Sequence, residues 1–334
     1  MDNYLIDTHL SASHLRLLVA IVEERCLVGA AKRLNMTQPA VTKALQAAEH
    51  QLGVPLFTRT SSGMVPTIYG DALVARARLV LSQLRNAVRE INDLREGTGG
   101  RIVVGTLLAA SAVLLPTAIA LLREKCRKLV VTVVEGTNDL LIPSLRRGDV
   151  DLLVGRLPFS TDFGDLHQEV LFVDAACIVV RTQHPLVGRR GLRLGDLVNW
   201  EWILPPQATT LRSQIDKAFR EENVDPPVPA VESVCLPINQ TLLRITDYLN
   251  VWPRQVASHA AQINEIAILQ IPLPATECPI GITSRRNAPS VPAVEHFVAT
   301  LRSVAQLQAQ GAIIEGMPIS DLHQHIPFGN SLPK

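Results

Sequence analysis

Thr37-Gln38-Pro39-Ala40-Val41-Thr42-Lys43 decides the reading of this chain, because it has the form of a helix start that enters a nucleic-acid groove. Leu27 to Asn35 reads as a short helix with the small pair Ala30-Ala31, and Asn35-Met36 as a tight turn. Thr37 then caps a second helix running to about Leu52, its hydroxyl meeting a backbone N–H that the first turn leaves unpaired. Pro39 falls where its missing N–H costs little. On a helical projection Val41, Ala44, Leu45, Ala48 and Leu52 share one side, and Gln38, Thr42, Lys43, Gln46 and His50 the other. A stripe of Leu15, Leu18, Val19 and Val22 on a preceding helix matches the apolar side. The polar side is left to meet base edges with amides and hydroxyls, and Lys43 reaches a guanine or a phosphate. Two short helices joined this way form a helix-turn-helix. Most polar helix faces are merely solvated; the cap, turn, small pair and early proline together favour the reader.

Downstream, Val54 to Arg59, Ser61-Ser62-Gly63 and Met64 to Pro66 read as a short hairpin, a wing for the phosphate backbone carrying Arg59. Across residues 27–67 the cations Lys32, Arg33, Lys43 and Arg59 oppose only Glu49, while the whole chain carries +1. The positive field is therefore local, which suits a sequence-selective binder better than an indiscriminate polyanion binder.

These stretches resemble the N-terminal domain of the LysR-type transcriptional regulators. The matching residues are Ala30-Ala31-Lys32-Arg33-Leu34, Thr37 to Lys43, Leu52-Gly53-Val54-Pro55-Leu56-Phe57-Thr58-Arg59-Thr60 and Pro66-Thr67-Ile68-Tyr69-Gly70. The resemblance implies DNA contacts by Gln38, Pro39, Thr42 and Lys43, with Arg59 reaching from the wing. Lys43 stands where Arg is more common.

From Ile68 to about Arg95 no Pro or Gly follows Gly70, and Leu73, Ala77, Val80, Leu84, Ala87, Ile91 and Leu94 recur in four- and three-residue steps. That is the spacing of a coiled-coil seam, and the helix is longer than a winged domain can cover, so pairing with a second copy is expected. Gly97-Thr98-Gly99-Gly100 supplies a hinge. The expected divisions are a winged helix-turn-helix domain over 10–67 (helix-turn-helix 27–46, wing 54–66) and a linker helix over 68–96. A hinge at 97–100, an effector domain over 101–308 and a loosely held tail over 309–334 complete them.

With 47% hydrophobic and 4% aromatic residues, the remainder fits an aliphatic α/β domain, and the pattern after Gly100 alternates strand and helix as a parallel sheet requires. The apolar run Ile102 to Leu122 has the length of a membrane span, but Gly105 and Pro116 interrupt it. A strand and a buried helix continue the alternation, so no membrane partner is expected. Without a basic signal-peptide start the chain is expected in the cytoplasm. Strand C-termini and helix N-termini in such sheets expose N–H groups and favour anions. Thr106, Ser111, Thr137, Thr209 and Thr210 stand at these junctions and are candidates for holding a small acid or sugar, although each is equally an ordinary helix cap. The family resemblance extends here through Leu114-Leu115-Pro116, Gly136-Thr137 and Arg147 to Leu152. It implies two Rossmann-like subdomains, arranged like a periplasmic binding protein, with the effector in their cleft. The first would span 101–172 and 274–308, the second 173–273. Asp247-Tyr248-Leu249-Asn250 departs from the Gly-rich turn of many members.

Cys26, Cys126, Cys177, Cys235 and Cys278 are scattered and show no Cys-x-x-Cys pair, which argues against a disulfide scaffold or a zinc ribbon. His14, His50 and His184 read as surface or capping residues. No nucleophile elbow, P-loop or dinucleotide fingerprint appears, so no catalytic residue, metal site or cofactor is expected. The reading is a regulator that binds double-stranded promoter DNA and a small-molecule effector. The family implies a homodimer or homotetramer, with RNA polymerase as a further partner of an activator. A sensor without DNA readout, or an enzyme on the α/β domain, are the alternatives.

Overall fold

The computed structural model describes residues 10–95, 100–158, 164–286, 288 and 291–309. Most of the expected hinge and all but the first residue of the expected tail lie outside them. Contacts divide the chain into an N-terminal and a C-terminal unit.

The N-terminal unit begins with α1 (Ala12–Glu24), α2 (Leu27–Arg33) and α3 (Gln38–Leu52). A hairpin of β1 (Phe57–Thr60) and β2 (Gly63–Pro66) follows, and α4 (Ile68–Arg95) is a single 28-residue helix. Ser11 caps α1 and forms a reciprocal capping box with His14. The core joins Leu17, Leu18 and Ile21 of α1 to Ala30 and Ala31 of α2 and to Val41, Leu45 and Ala48 of α3. The α1 stripe is thus rotated from the expected one: Leu18 is central, but Val19 and Val22 are only half-buried. The reason is that α1 packs on both α2 and α3, so its buried arc points between them.

The C-terminal unit contains two five-stranded sheets. The first forms from β3 (Arg101–Thr106), β4 (Val130–Glu135), β5 (Leu152–Arg156), β6 (Leu166–Asp174) and β12 (Cys278–Arg285), in the order β4-β3-β5-β12-β6. With it run α5 (Leu108–Ser111), α6 (Leu114–Lys125), α7 (Asn138–Arg147) and α11 (Pro292–Ala309). The second comprises β7 (Ala176–Val180), β8 (Trp202–Leu204), β9 (Val231–Glu232), β10 (Leu249–Pro253) and β11 (Ala267–Ile268), in the order β11-β7-β10-β8-β9. Its helices are α8 (Thr210–Glu221), α9 (Leu236–Ile245) and α10 (Arg254–Gln262).

The apolar run 102–122 is β3, α5 and α6, and among the described residues no helix is long and apolar enough to cross a membrane. The sheets are not the all-parallel kind that alternation suggested. β3 is parallel to β4 and β5, and β8 to β9 and β10, but β12 is antiparallel to β5 and β6, and β7 to β10 and β11. The antiparallel strands β6, β7 and β12 adjoin the places where the chain crosses from one sheet to the other and back. Where β12 bulges at Ile280/Gly281, a Cβ on Gly281 would lie 2.0 Å from the Glu169 carbonyl oxygen, so only glycine admits this pairing.

Aliphatic side chains fill both sheets. Ile102, Val104, Leu152 and Ile280 pack under Leu114, Leu121, Phe297 and Leu301. On one face of the second sheet Trp202 meets Phe219 edge to face at 5.7 Å. The other face carries Cys177, Val179, Ile203 and Trp252 beneath Leu243, Val256 and Ala257.

His184 overturns its surface reading: it is buried, its Nδ1 accepting from the Leu186 N–H at 3.2 Å and its Nε2 facing the Asp247 carbonyl at 3.1 Å. Since Nδ1 accepts, Nε2 carries the proton and donates. Burial holds this imidazole below its ordinary value of 6.5. As pH falls through 6.5 the unfolded chain binds the proton first, so acid removes stability. The C-terminal unit should therefore lose urea resistance between about pH 7 and pH 5.5, and His184→Gln should flatten that slope. Equal slopes for the two proteins in urea titrations would reject the assignment.

Candidate functional site

Helix α3 starts as its sequence requires. Thr37 Oγ1 accepts from the Ala40 N–H at 3.4 Å, Pro39 sits in the first turn, and Gly53 ends the helix in the left-handed region at φ 69°. Gln38, Pro39 and Lys43 are exposed and Thr42 half-exposed, so the structure brings four of the candidates onto one outward edge. Thr42 donates to the Gln38 carbonyl at 3.0 Å and accepts from Gln38 Nε2 at 3.4 Å, which holds the two side chains together. The local charge differs from the sequence tally. Arg33 is engaged by Glu23 at 2.5 Å and Glu24 at 3.1 Å, both on α1 and outside the window that was counted. Lys32, Lys43 and Arg59 are the exposed cations that remain of the four.

Arg59 lies on β1 opposite Met64, and Thr60 pairs with Gly63 across the two-residue turn Ser61-Ser62. Four hydrogen bonds hold the hairpin, three at its base and one beside its turn. Glu49 of α3 accepts from the Leu56 and Phe57 N–H groups at 2.7 and 3.2 Å, so this acid is an anchor rather than an opposing surface charge. Thr67 donates to the Pro55 carbonyl at 2.7 Å. The Met64 N–H donates to the Arg25 carbonyl at 2.8 Å, and at Gly63, with φ 112°, a Cβ would stand 2.4 Å from that same oxygen.

Along α4, Val74, Ala77 and Leu81 are buried, while Val80, Leu84, Val88 and Ile91 are 47, 48, 59 and 65% exposed. The expected seam is thus partly covered at Leu73 and Ala77, and its uncovered apolar part begins at Val80. The Leu94 side chain lies outside the described residues.

In the C-terminal unit the effector candidates fall into two groups. Thr106 ends β3 and Thr137 lies two residues beyond the end of the adjacent parallel strand β4; the Gly136 N–H donates to the Thr106 carbonyl at 3.2 Å, so these two come together. Thr106 is buried and donates to the Leu107 carbonyl at 3.2 Å; Ser111 donates to the Leu108 carbonyl at 2.9 Å. Thr209 and Thr210 belong to the other sheet. Thr209 caps α8 through the Arg212 N–H at 3.3 Å and donates to the Pro206 carbonyl at 2.8 Å. The hydroxyls of Thr106, Ser111 and Thr209 are thus also engaged with nearby backbone.

Sequence reasoning did not find the polar residues where the sheets meet. Arg156, at the end of β5, is 5% exposed and donates through Nη1 to Gln214 Oε1 of α8 at 2.7 Å and to the Thr276 carbonyl at 2.9 Å. Burial opposes its charge, and Cys278 and Asp174 support it. Burial raises the Asp174 carboxyl above its usual range, against the pull of Arg156. Helix α5 of the first subdomain packs on β10 and α10 of the second. A lone arginine after Gly155 carries no motif, so only the coordinates reveal its partners.

Two family models match. Residues 12–71 fit the bacterial regulatory helix-turn-helix protein, lysR family, and residues 95–306 fit the LysR substrate binding domain. The chain belongs to the LysR family. This LysR regulator is 33% identical over 319 residues to the HTH-type transcriptional regulator GbpR of Azospirillum brasilense, covering 95% of this chain and 93% of that protein. It is 30% identical to GalR of Pseudomonas putida, covering 89% of this chain and 75% of GalR. Among solved structures, CbnR, a LysR family transcriptional regulator, aligns with a TM-score of 0.58 at 22% identity, covering 89% of this chain and 99% of that one. At that identity the likeness concerns the fold, and the family and relatives' names mark a DNA-binding transcriptional regulator rather than an enzyme.

The wing of this LysR protein has a geometric test. Gly63→Ala should push β2 off the Arg25 carbonyl, lowering DNA affinity about tenfold while leaving the far-ultraviolet circular dichroism of α1–α4 intact. Wild-type affinity in a fluorescence-anisotropy titration would show that the wing is not held there.

Proposed function

We propose that this LysR-family regulator reads double-stranded promoter DNA in the cytoplasm through Gln38, Pro39, Thr42 and Lys43 of α3, with Arg59 of the wing on the backbone. The observation that carries the reading is the exposed polar edge of a helix whose opposite side is buried. Gln38 and Thr42 offer donors and acceptors to base edges, and Lys43 a charge to a guanine or phosphate. Two copies pair along Val80, Leu84, Val88 and Ile91 of α4, which sets two readers about one helical turn of DNA, or a multiple of it, apart. Dimers assemble further into a homotetramer, as the family resemblance implies. A small acid or sugar binds between the two sheets, near Thr106, Ser111, Thr137, Thr209 and Thr210, and shifts the population of regulator conformations. RNA polymerase is the further partner where the outcome is activation.

Lys43→Ala and Gln38→Ala should each reduce discrimination at one base position by about 1–3 kcal/mol, read by competition between operator variants. Full sequence preference in both variants would exclude α3 as the reader.

The assembly has its own test. Leu84→Lys places a charge in the apolar stripe and should shift the sedimentation coefficient from oligomer to monomer while preserving helix content. An unchanged oligomer would place the seam elsewhere.

A further inference from the structure

Buried polar atoms without partners concentrate around one side of the second sheet. Asn250 and Trp252 alternate on β10 with Leu249 and Val251, so they share the side covered by α9 and α10 and met by α5 of the first subdomain. Asn250 is 1% exposed, and its Oδ1 accepts from the Val251 N–H at 2.7 Å, which fixes the amide's orientation. Among the described residues its Nδ2 then has no partner, nor does Nε1 of the fully buried Trp252. Asn239 lies on α9 one turn before Leu243, which packs on Trp252; it is 2% exposed. It donates through Nδ2 to the Ser233 carbonyl at 3.4 Å and leaves Oδ1 unpartnered. At the start of α10, Gln255 Oε1 is likewise unpartnered. The series continues toward the crossover with Asp174 Oδ2 and with Nε and Nη2 of Arg156, whose guanidinium also faces the Cys278 thiol.

Leaving one such atom unpaired costs about 1–3 kcal/mol, so several of them on and beside one side of the sheet point to a ligand. The mixture states its chemistry. Asn250, Trp252 and Arg156 present donors; Asn239, Gln255 and Asp174 present acceptors. A carboxylate only accepts and would face three further acceptors, while an ammonium only donates. A neutral hydroxyl does both. Arg156 and Arg254 both act on Asp174, so the mixture of donors and acceptors, rather than a net charge, sets the class of the occupant. We infer that the effector of this regulator is a neutral polyhydroxylated molecule, of the sugar class, held by Asn239, Asn250 and Trp252. This rests on the proposed effector site between the sheets and chooses between the two ligand classes named for it.

The experiment uses the full chain, with D-aldohexoses and D-aldopentoses as one panel and succinate and benzoate as the other. Thermal unfolding and isothermal calorimetry are the readouts. At least one sugar should raise Tm and the two acids should not. Asn250→Ala and Trp252→Phe should each weaken that sugar's Kd about three- to tenfold, the loss of one hydrogen bond. Trp252→Phe keeps a ring in the core and carries the test if the Asn250 variant fails to fold. A carboxylate that raises Tm while every sugar is inert overturns the inference and leaves the effector reading standing. Sugar affinity unchanged in the variants overturns the assigned residues. Silence from both panels overturns the inference together with the reading beneath it.

Discussion

Val41, Leu45 and Ala48 seat the inner side of α3 against Leu17, Leu18 and Ile21 of α1 and the alanine pair of α2. Full burial of each large aliphatic side chain contributes about 1.5–3 kcal/mol. That burial fixes the helix's rotation as well as its position, because an amphipathic helix turned by one residue exposes its apolar stripe. The direction in which Gln38, Thr42 and Lys43 point is therefore set by residues on the opposite side. The wing shares this dependence, since Glu49 projects from the same helix to hold the Leu56 and Phe57 N–H groups. A displacement of α3 would carry both reading elements with it, so a rigid scaffold places the polar groups.

The C-terminal unit is organised around a different constraint: two sheets must be joined by two chain crossings. Thr276 lies at the second crossing, fully buried, and works in three directions. Its hydroxyl donates to the Leu273 carbonyl at 2.6 Å and accepts from the Ala176 N–H at 2.9 Å, which belongs to the first crossing. Its carbonyl receives Arg156 Nη1, and Gln214, the other partner of that nitrogen, reaches the Glu277 carbonyl at 3.3 Å. One threonine and one arginine thus tie both crossings to a strand of the first sheet and a helix of the second. Groups this deeply placed keep their geometry only while every partner stays, which makes the crossing a narrow and well-defined axis.

Local signals were legible in the residues; long-range ones were not. The Thr37 cap, the early Pro39, the Ser61-Ser62 turn and the helix over 68–95 each depend on a few neighbours in sequence. The polar and apolar sides of α3 and the apolar stripe of α4 follow from periodicity alone. Strand direction does not, because β12 joins a sheet begun well over a hundred residues earlier, and nothing near Cys278 encodes an antiparallel partner. Strand β6 is hard to read for the same reason: its mixed burial reflects an edge position that only the assembled sheet defines. Pairing of Arg33 with α1 acids, burial of His184 and the Arg156 contacts all arise from tertiary neighbours. The threonine candidates illustrate the converse. Their positions at strand ends were readable, but the caps and backbone contacts of Thr106, Ser111 and Thr209 compete with any ligand for the same hydroxyls.

The two units therefore treat polar atoms in opposite ways. At the proposed reader, side-chain groups are exposed and held mainly by local bonds, so exchanging water for a base edge would cost little reorganisation. Beside β10 the polar atoms are already desolvated and incompletely paired, so the cost of removing water has been incurred during folding. A ligand that completed their hydrogen bonds would gain what the fold alone lacks. Stability withheld in one conformation and restored by an added molecule is the thermodynamic requirement for a ligand to shift a population, since a ligand moves an equilibrium only by its differential affinity for the two states. Replacing those groups by well-packed apolar residues would strengthen the fold and abolish that difference. A sensing domain with a fully satisfied interior has less free energy left for its effector to supply.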